Sequence, residues 1–154
     1  MRKFIVVALI LVATGCSSIT DQSKFESMCK DRDSLVCNVP ADNSLLPDME
    51  YLSVMAQLFT PNIHYTEESP DTWSHNDTVY EPLYGDCEDI AFTFANQLLL
   101  DGIDPSVIWI VFSNGNGEAH IHIEVDAIDG VFVFYDNKSL TEFKRIRLDK
   151  INLM

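Results

Sequence analysis

Basic side chains are scarce in this chain: of 154 residues only 10 are Lys or Arg, against 24 Asp or Glu, for a formal net charge of −14. A phosphate backbone would be repelled and no basic stripe offsets this, so nucleic acid is not an expected partner. Gly and Pro are also few, six of each. With 47% hydrophobic and 10% aromatic residues, this excludes a disordered tail or a fibrous repeat. No internal repeat is visible, and the length leaves no room for a second substantial domain. Long apolar runs are missing too. Phe4 to Val12, at nine residues, falls short of the roughly 20 that cross a bilayer as a helix.

That run follows Arg2 and Lys3, and a basic start before a short apolar stretch reads as an export signal over residues 1–15. Ala13-Thr14-Gly15-Cys16-Ser17-Ser18 resembles the lipobox of bacterial lipoproteins, with Ala13 where that family usually has Leu. The resemblance implies cleavage before Cys16 and a diacylglycerol on its sulfur. The plainer alternative is an ordinary cleaved signal with a chance Cys, and either reading exports the protein. Ser17 is not the Asp of an inner-membrane retention signal. By analogy with enteric lipoproteins the expected place is therefore the periplasmic side of the outer membrane. Losing Arg2 and Lys3 leaves 8 basic against 24 acidic residues, or −16. Membrane contact is thus expected through acyl chains and not through the folded surface.

In an oxidising compartment cysteines tend to pair. Cys16 is assigned to lipid, and Cys29 and Cys37 lie eight apart in a polar stretch where a small disulfide loop would help. Cys87 is then the cysteine left over, with Cys29 or Cys37 as the alternative unpaired one. Residues 16–43 read as a tether and a loosely held N-terminal arm, and residues 44–154 as the domain that carries function.

Within that domain Leu45, Leu46, Met49, Leu52, Met55, Ala56 and Phe59 recur at helical steps, with Thr60-Pro61 as the stop. Asn62 to Gly85 is a long polar connection holding His64, His75, Tyr65, Trp73, Tyr80 and Tyr84, and loops of that length usually belong to a site. Ile90, Ala91, Phe94, Ala95, Leu98 and Leu99 mark a second helix, with Asp86 as N-cap and Asp101-Gly102 as stop. Strands are expected over Val107–Phe112, Ala119–Val125 and Val131–Tyr135, with a fourth at Arg145–Leu148. An α+β fold follows, with an antiparallel sheet packed on the helix that starts at Cys87.

A thiol at a helix N-terminus faces unsatisfied N–H groups and the positive dipole end, which favour the thiolate; Cys87 is therefore a candidate nucleophile. Asp86, Glu88 and Asp89 oppose this unless neutralised. Hard oxygen ligands with no nearby Lys or Arg suit Ca²⁺, while acids in the first turn of a helix are also what the dipole alone favours. Ala119 to Val125 alternates, so His120, His122 and Glu124 share one face. Either histidine could take the proton from Cys87, and Asp136 is the candidate orienter. In an antiparallel hairpin a five-residue loop sets His120 opposite Asp136, and a three-residue loop ending at Gly130 sets His122 there. An Asp129-Gly130 turn sets Ile123 opposite Asp136 and breaks the pair unless a bulge intervenes.

Gly85-Asp86-Cys87-Glu88-Asp89-Ile90-Ala91, then Ala119-His120, then Tyr135-Asp136-Asn137 resembles the bacterial transglutaminase-like cysteine peptidases. The best-known members are periplasmic proteases that release adhesins from the cell surface. The similarity runs from about Leu45 through Asn62–Tyr65 and Asp71–Trp73 to Asn137. It implies a papain-like, transglutaminase-type fold, Cys87 as nucleophile, His120 as general base and acid, and Asp136 as the residue that fixes the imidazole. It further implies calcium on Asp86, Glu88 and Asp89, a protein substrate such as a surface adhesin, and an inner-membrane regulatory receptor. His122 stands where the family usually has an apolar residue, and the interval from His to Asp is about one residue long.

Other classes remain open. One is a calcium- or peptide-binding module with the same fold and no turnover. A second is a zinc hydrolase using His120 and His122 with Asp136 or Cys87. A third is a cell-wall peptidase with its Cys at a helix start, although Glu88-Asp89 fits that pattern poorly. Trp73 reads chiefly as packing, and His64 and His75 as solvated loop residues.

Overall fold

A computed structural model describes residues 4–6, 22–30, 34–68, 72–137 and 139–153, and most of its main sheet follows the helices in the chain. Residues Phe4–Val6 form β1, Gln22–Cys29 α1, Met49–Phe59 α2, Ile63–Tyr65 β2 and Leu83–Gly85 β3. Cys87–Leu100 is α3, and then come β4 (Ile108–Gly115), β5 (Glu118–Ala127), β6 (Gly130–Phe134) and β7 (Thr141–Arg147). Five strands make one sheet in the order β1-β6-β5-β4-β7. It is antiparallel except that β1 runs parallel to β6, and β2 and β3 form a separate parallel pair. The class is α+β, as the patterns predicted. The fourth strand runs from Thr141 to Arg147, earlier than the predicted Arg145–Leu148.

The ends of both long helices are set by local chemistry. Asp48 caps α2 by accepting the Tyr51 N–H at 2.8 Å, and at the other end the Thr60 hydroxyl donates to Ala56 O before Pro61 stops the turn. α3 ends where Gly102 takes φ +83° and the N–H groups of Gly102 and Ile103 return to Leu99 and Leu98 carbonyls. Every residue of α3 from Cys87 to Leu99 is buried. Its apolar side meets the sheet, where Phe94 stacks on Phe134 at 4.1 Å and on Phe132 at 6.3 Å, with Phe59 of α2 closing the cluster. Its polar side, Thr93, Asn96 and Gln97, is covered by the 72–82 connection. There the N–H groups of Asn76 and Val79 donate to Thr93 and Gln97, and Asn96 Nδ2 donates to Asp77 O.

The N-terminal arm is not loose, contrary to the tether expected up to residue 43. Phe25, Met28 and Val36 are buried, Phe25 meets Phe92 of α3 at 5.7 Å, and the Val36 N–H donates to Asn96 Oδ1 at 3.0 Å. The Cys29–Cys37 disulfide, expected from spacing, is present and closes this segment. Polar composition hid the arm because among its described residues only Phe25, Met28 and Val36 are buried apolar side chains, with Leu35, Val39 and the disulfide partly buried against the core. Residues 24–30 and 34–43 thus join the domain that was expected to begin at 44.

In the sheet, Ile108, Ile110, Phe112, Ile121, Ile123, Val125, Phe132 and Phe134 all face the core. Trp109, Val111, Ser113, His120, His122 and Glu124 take the other face. β4 and β5 join through Asn116-Gly117, both at positive φ, which is the two-residue turn whose twist suits a hairpin.

Candidate functional site

Cys87 is the first helical residue of α3, immediately after the N-cap Asp86, as the sequence predicts. Its side chain is fully buried against β5: the Ile121 N–H points at Sγ from 3.3 Å, so the sulfur lies one peptide bond from His120. Sγ is also 3.2 Å from Glu88 Oε2. The expectation that this cysteine is left over is corrected here. Cys87 is disulfide-bonded. The counting by elimination rested on Cys16 being lipidated, and Cys16 itself lies outside the described residues.

Asp86, Glu88 and Asp89 are all buried. Asp89, at the third helical position, is engaged by the protein itself. Its Oδ1 accepts the Ser74 N–H at 2.6 Å and the Ser74 hydroxyl at 3.0 Å, and its Oδ2 accepts the Asp86 N–H at 3.3 Å, the return bond of a capping box. Desolvation raises its carboxyl from 3.8 to about 7, with the Ser74 bonds opposing. Among the described residues no three His, Cys, Asp or Glu side chains gather into a metal-holding group. One of the three acids implied for calcium thus already bridges the 72–82 connection to the helix start. His120 and His122 likewise gather no third zinc ligand among the described residues.

The β5–β6 register differs from all three geometries open to the sequence. Ala127 pairs with Gly130, so Ile128-Asp129 is the turn. Tertiary contacts select it: the Ile128 N–H donates to Pro47 O, and Asp129 Oδ1 accepts the N–H of Met49 at the start of α2. Extended by two residues, this register sets Asp136 level with Ile121, on the core side. The ladder instead stops at Phe134, and Tyr135 takes φ +64°. This left-handed residue leaves the pleat and brings Asp136 to the histidine face, Oδ1 lying 3.6 Å from His122 Nδ1.

The two histidines therefore divide their contacts. His120, 3% exposed, has Nε2 at 2.5 Å from Tyr135 O, and Asp136 acts on it through its charge without a hydrogen bond. Burial pulls the His120 imidazole from 6.5 down to about 4, with the Tyr135 carbonyl and then Asp136 opposing. His122 sits between Glu124 at 3.5 Å and Asp136. Glu124 is held below its ordinary range, first by the His122 contact and then by Arg145. The geometry thus brings Cys87 to the backbone beside His120, and Asp136 to His122, where the resemblance implied one line through Cys87, His120 and Asp136.

Two tyrosines that the sequence reading did not single out complete the surroundings. Burial, and then the Asp86 charge, push the Tyr65 phenol above its ordinary value and the Tyr135 phenol to about 12. The Tyr135 hydroxyl is buried with no hydrogen-bond partner among the described residues. Both stand in stretches that carry the resemblance, Asn62–Tyr65 and Tyr135-Asp136-Asn137, but without a role there, and only the fold could show that they flank Asp86. Trp73 is packing, against Phe92 at 5.5 Å. His75 is buried, not a solvated loop residue, whereas His64 is exposed and stacks on Tyr84 at 4.7 Å. Comparison with models of known protein families finds no match, and neither does comparison with curated proteins.

Proposed function

We propose that this chain is an exported cysteine peptidase of papain-like, transglutaminase type, lipid-anchored through Cys16 on the periplasmic side of the outer membrane, with a protein as substrate. The observation that carries the reading is the seat of Cys87 at the first position of α3, with its sulfur against the peptide bond that joins His120 to Ile121. Both the lipid anchor and the reaction belong to the reduced form of Cys87, because Cys29 and Cys37 hold each other and a Cys16 that carries lipid cannot also be in a disulfide. His120, neutral over the working range, accepts the thiol proton, and the thiolate attacks a peptide carbonyl. N–H groups at the start of α3 face the developing oxyanion, and the imidazolium then protonates the leaving amine, which leaves the acyl group on Cys87 as a thioester. Water, giving a proton to His120, attacks that thioester, and the carboxylic acid leaves as the Cys87 thiol is restored. The Tyr135 carbonyl orients the His120 ring, and the Asp136 charge stabilises its protonated form. No step runs through calcium, because Asp89 is already bonded within the protein.

The test is hydrolysis of a quenched fluorescent casein by the protein, kept reduced with a phosphine, compared with Cys87→Ala and Cys87→Ser. Both variants should lose turnover by at least about a thousandfold, with thermal melts showing that they still fold. Full turnover in either folded variant would end the peptidase reading. Tight binding of casein by every form, without cleavage, would favour the non-catalytic peptide-binding module.

A further inference from the structure

The two edges of the main sheet are built differently. β7, at one edge, carries Glu142, Lys144, Arg145 and Arg147 among its seven residues. A register shift against β4 makes Phe143 an extra residue there. Charges and a bulge are the usual means by which an exposed edge is kept from pairing with another chain. β6 has neither: Gly130-Val131-Phe132-Val133-Phe134 is uncharged, free of proline and regular in its pairing with β5. Its turn is tied to Pro47 and Met49, so the strand is held in place before anything pairs with it.

The outer edge of β6 is covered by Phe4-Ile5-Val6, paired in parallel with Val131, Phe132 and Val133. Those three residues lie inside the segment that the sequence marks for removal on export. Cleavage before Cys16 leaves a flat apolar edge with its outward N–H and C=O groups unpaired. The edge also points at the site. β6 runs from Gly130 toward Tyr135, whose carbonyl holds His120, and by the β5 register Ile121, which donates to Cys87 Sγ, is level with the end of that path. A chain lying parallel on β6 would continue past Phe134, and at roughly 3.3 Å per residue it would come to the Cys87 end of the sheet within about four residues.

We propose that the outer edge of β6 is a strand-addition site for an extended apolar, β-branched segment of the polypeptide substrate, bound parallel to β6 and N-terminal to the bond that Cys87 cleaves. Naming the occupant as substrate rests on the peptidase reading, whereas the pairing itself does not. Main-chain hydrogen bonds supply the affinity, and the apolar side chains of Val131 and Val133 favour apolar neighbours on the added strand.

The experiment uses protein processed in cells and extracted from the envelope, carrying Cys87→Ser so that nothing is cut, beside the unprocessed full chain. The probe is a capped synthetic peptide, Phe-Ile-Val-Val-Ala-Leu, with a C-terminal Lys pair for solubility. Hydrogen exchange at residues 130–134 should be fast at alternate amides in processed protein, slow in the full chain, and slowed again by the peptide. Two further peptides are N-methylated at odd or at even positions. One pattern should weaken binding by about tenfold or more and the other should be tolerated, because only alternate N–H groups face β6. Equal protection of β6 in processed protein without peptide would overturn the proposal. Equal binding of both methylated peptides would do the same, as would concentration-dependent pairing of two copies through β6 with no response to peptide. If the peptide binds in the expected pattern but the unmutated Cys87 protein cleaves no protein, the peptidase reading fails and the strand-addition edge stands.

Discussion

Gly85 shows how closely the chain is drawn together beside Cys87. A Cβ there would lie 2.1 Å from Asp89 Oδ2, so glycine is required for the carboxylate to reach the Asp86 N–H. Gly85→Ala should displace Asp89 and strip Ser74 and Asp86 of their acceptor, at about 2–4 kcal/mol. A urea titration checks this, and an unchanged midpoint would mean that the cap is not structural. His120 gives a pH dependence. Its folded-state value of about 4 lies below its ordinary 6.5, so between these values the unfolded chain binds a proton that the folded chain refuses. Its contribution is complete above about pH 6.5 and is lost as pH falls toward 4, about 3 kcal/mol in all. His120→Gln should remove that part of the acid sensitivity, which unfolding at neutral and at mildly acidic pH would measure. Cys87, both histidines, Asp136 and the three acids were all legible as chemistry in the sequence. Which histidine meets which partner was not, because that depends on a positive φ at Tyr135 that no residue type signals.

At the scale of elements, α3 is the least expected piece, for its existence and limits were plain while its burial was not. Thr93, Asn96 and Gln97 look like a solvated face, yet each is matched by a backbone group of the arm or of the 72–82 connection. Asn96 joins both, accepting from Val36 and donating to Asp77. Asn96→Ala should leave a buried N–H and a carbonyl unmatched and cost about 2–4 kcal/mol, read as a lower melting temperature with faster exchange at Val36. If only the melting temperature moved, the arm would be held by Phe25 and the disulfide alone. The 62–85 stretch, read from its length as belonging to a site, meets the start of α3 through Ser74 and Asp89. Its two short strands went unread because β2 and β3 pair with each other only in the fold, across 17 intervening residues.

For the whole molecule, a net charge of −14 means that compaction works against self-repulsion. Raising NaCl from ~0.01 M to ~0.5 M shortens the Debye length from about 30 Å to under 5 Å. The melting temperature should then rise by several degrees, at about 2–4 °C per kcal/mol for a chain of this size. A flat or falling midpoint would mean that the acids are locally compensated, as Glu124 is by Arg145. Among the described residues no helix is long and apolar enough to cross a membrane. By itself the sequence determined the charge, the helices and their stops, the main strands, the Cys29–Cys37 pair and the residue types gathered near Cys87, because each depends on local periodicity, caps or spacing. Only the tertiary structure decided the β5–β6 register, the division of contacts between His120 and His122, the disulfide-bonded state of Cys87, the role of Asp89 and the packing of the arm. These depend on groups far apart in the chain: Pro47 and Met49 select a turn near residue 128, Ser74 occupies Asp89, and Asn96 receives Val36.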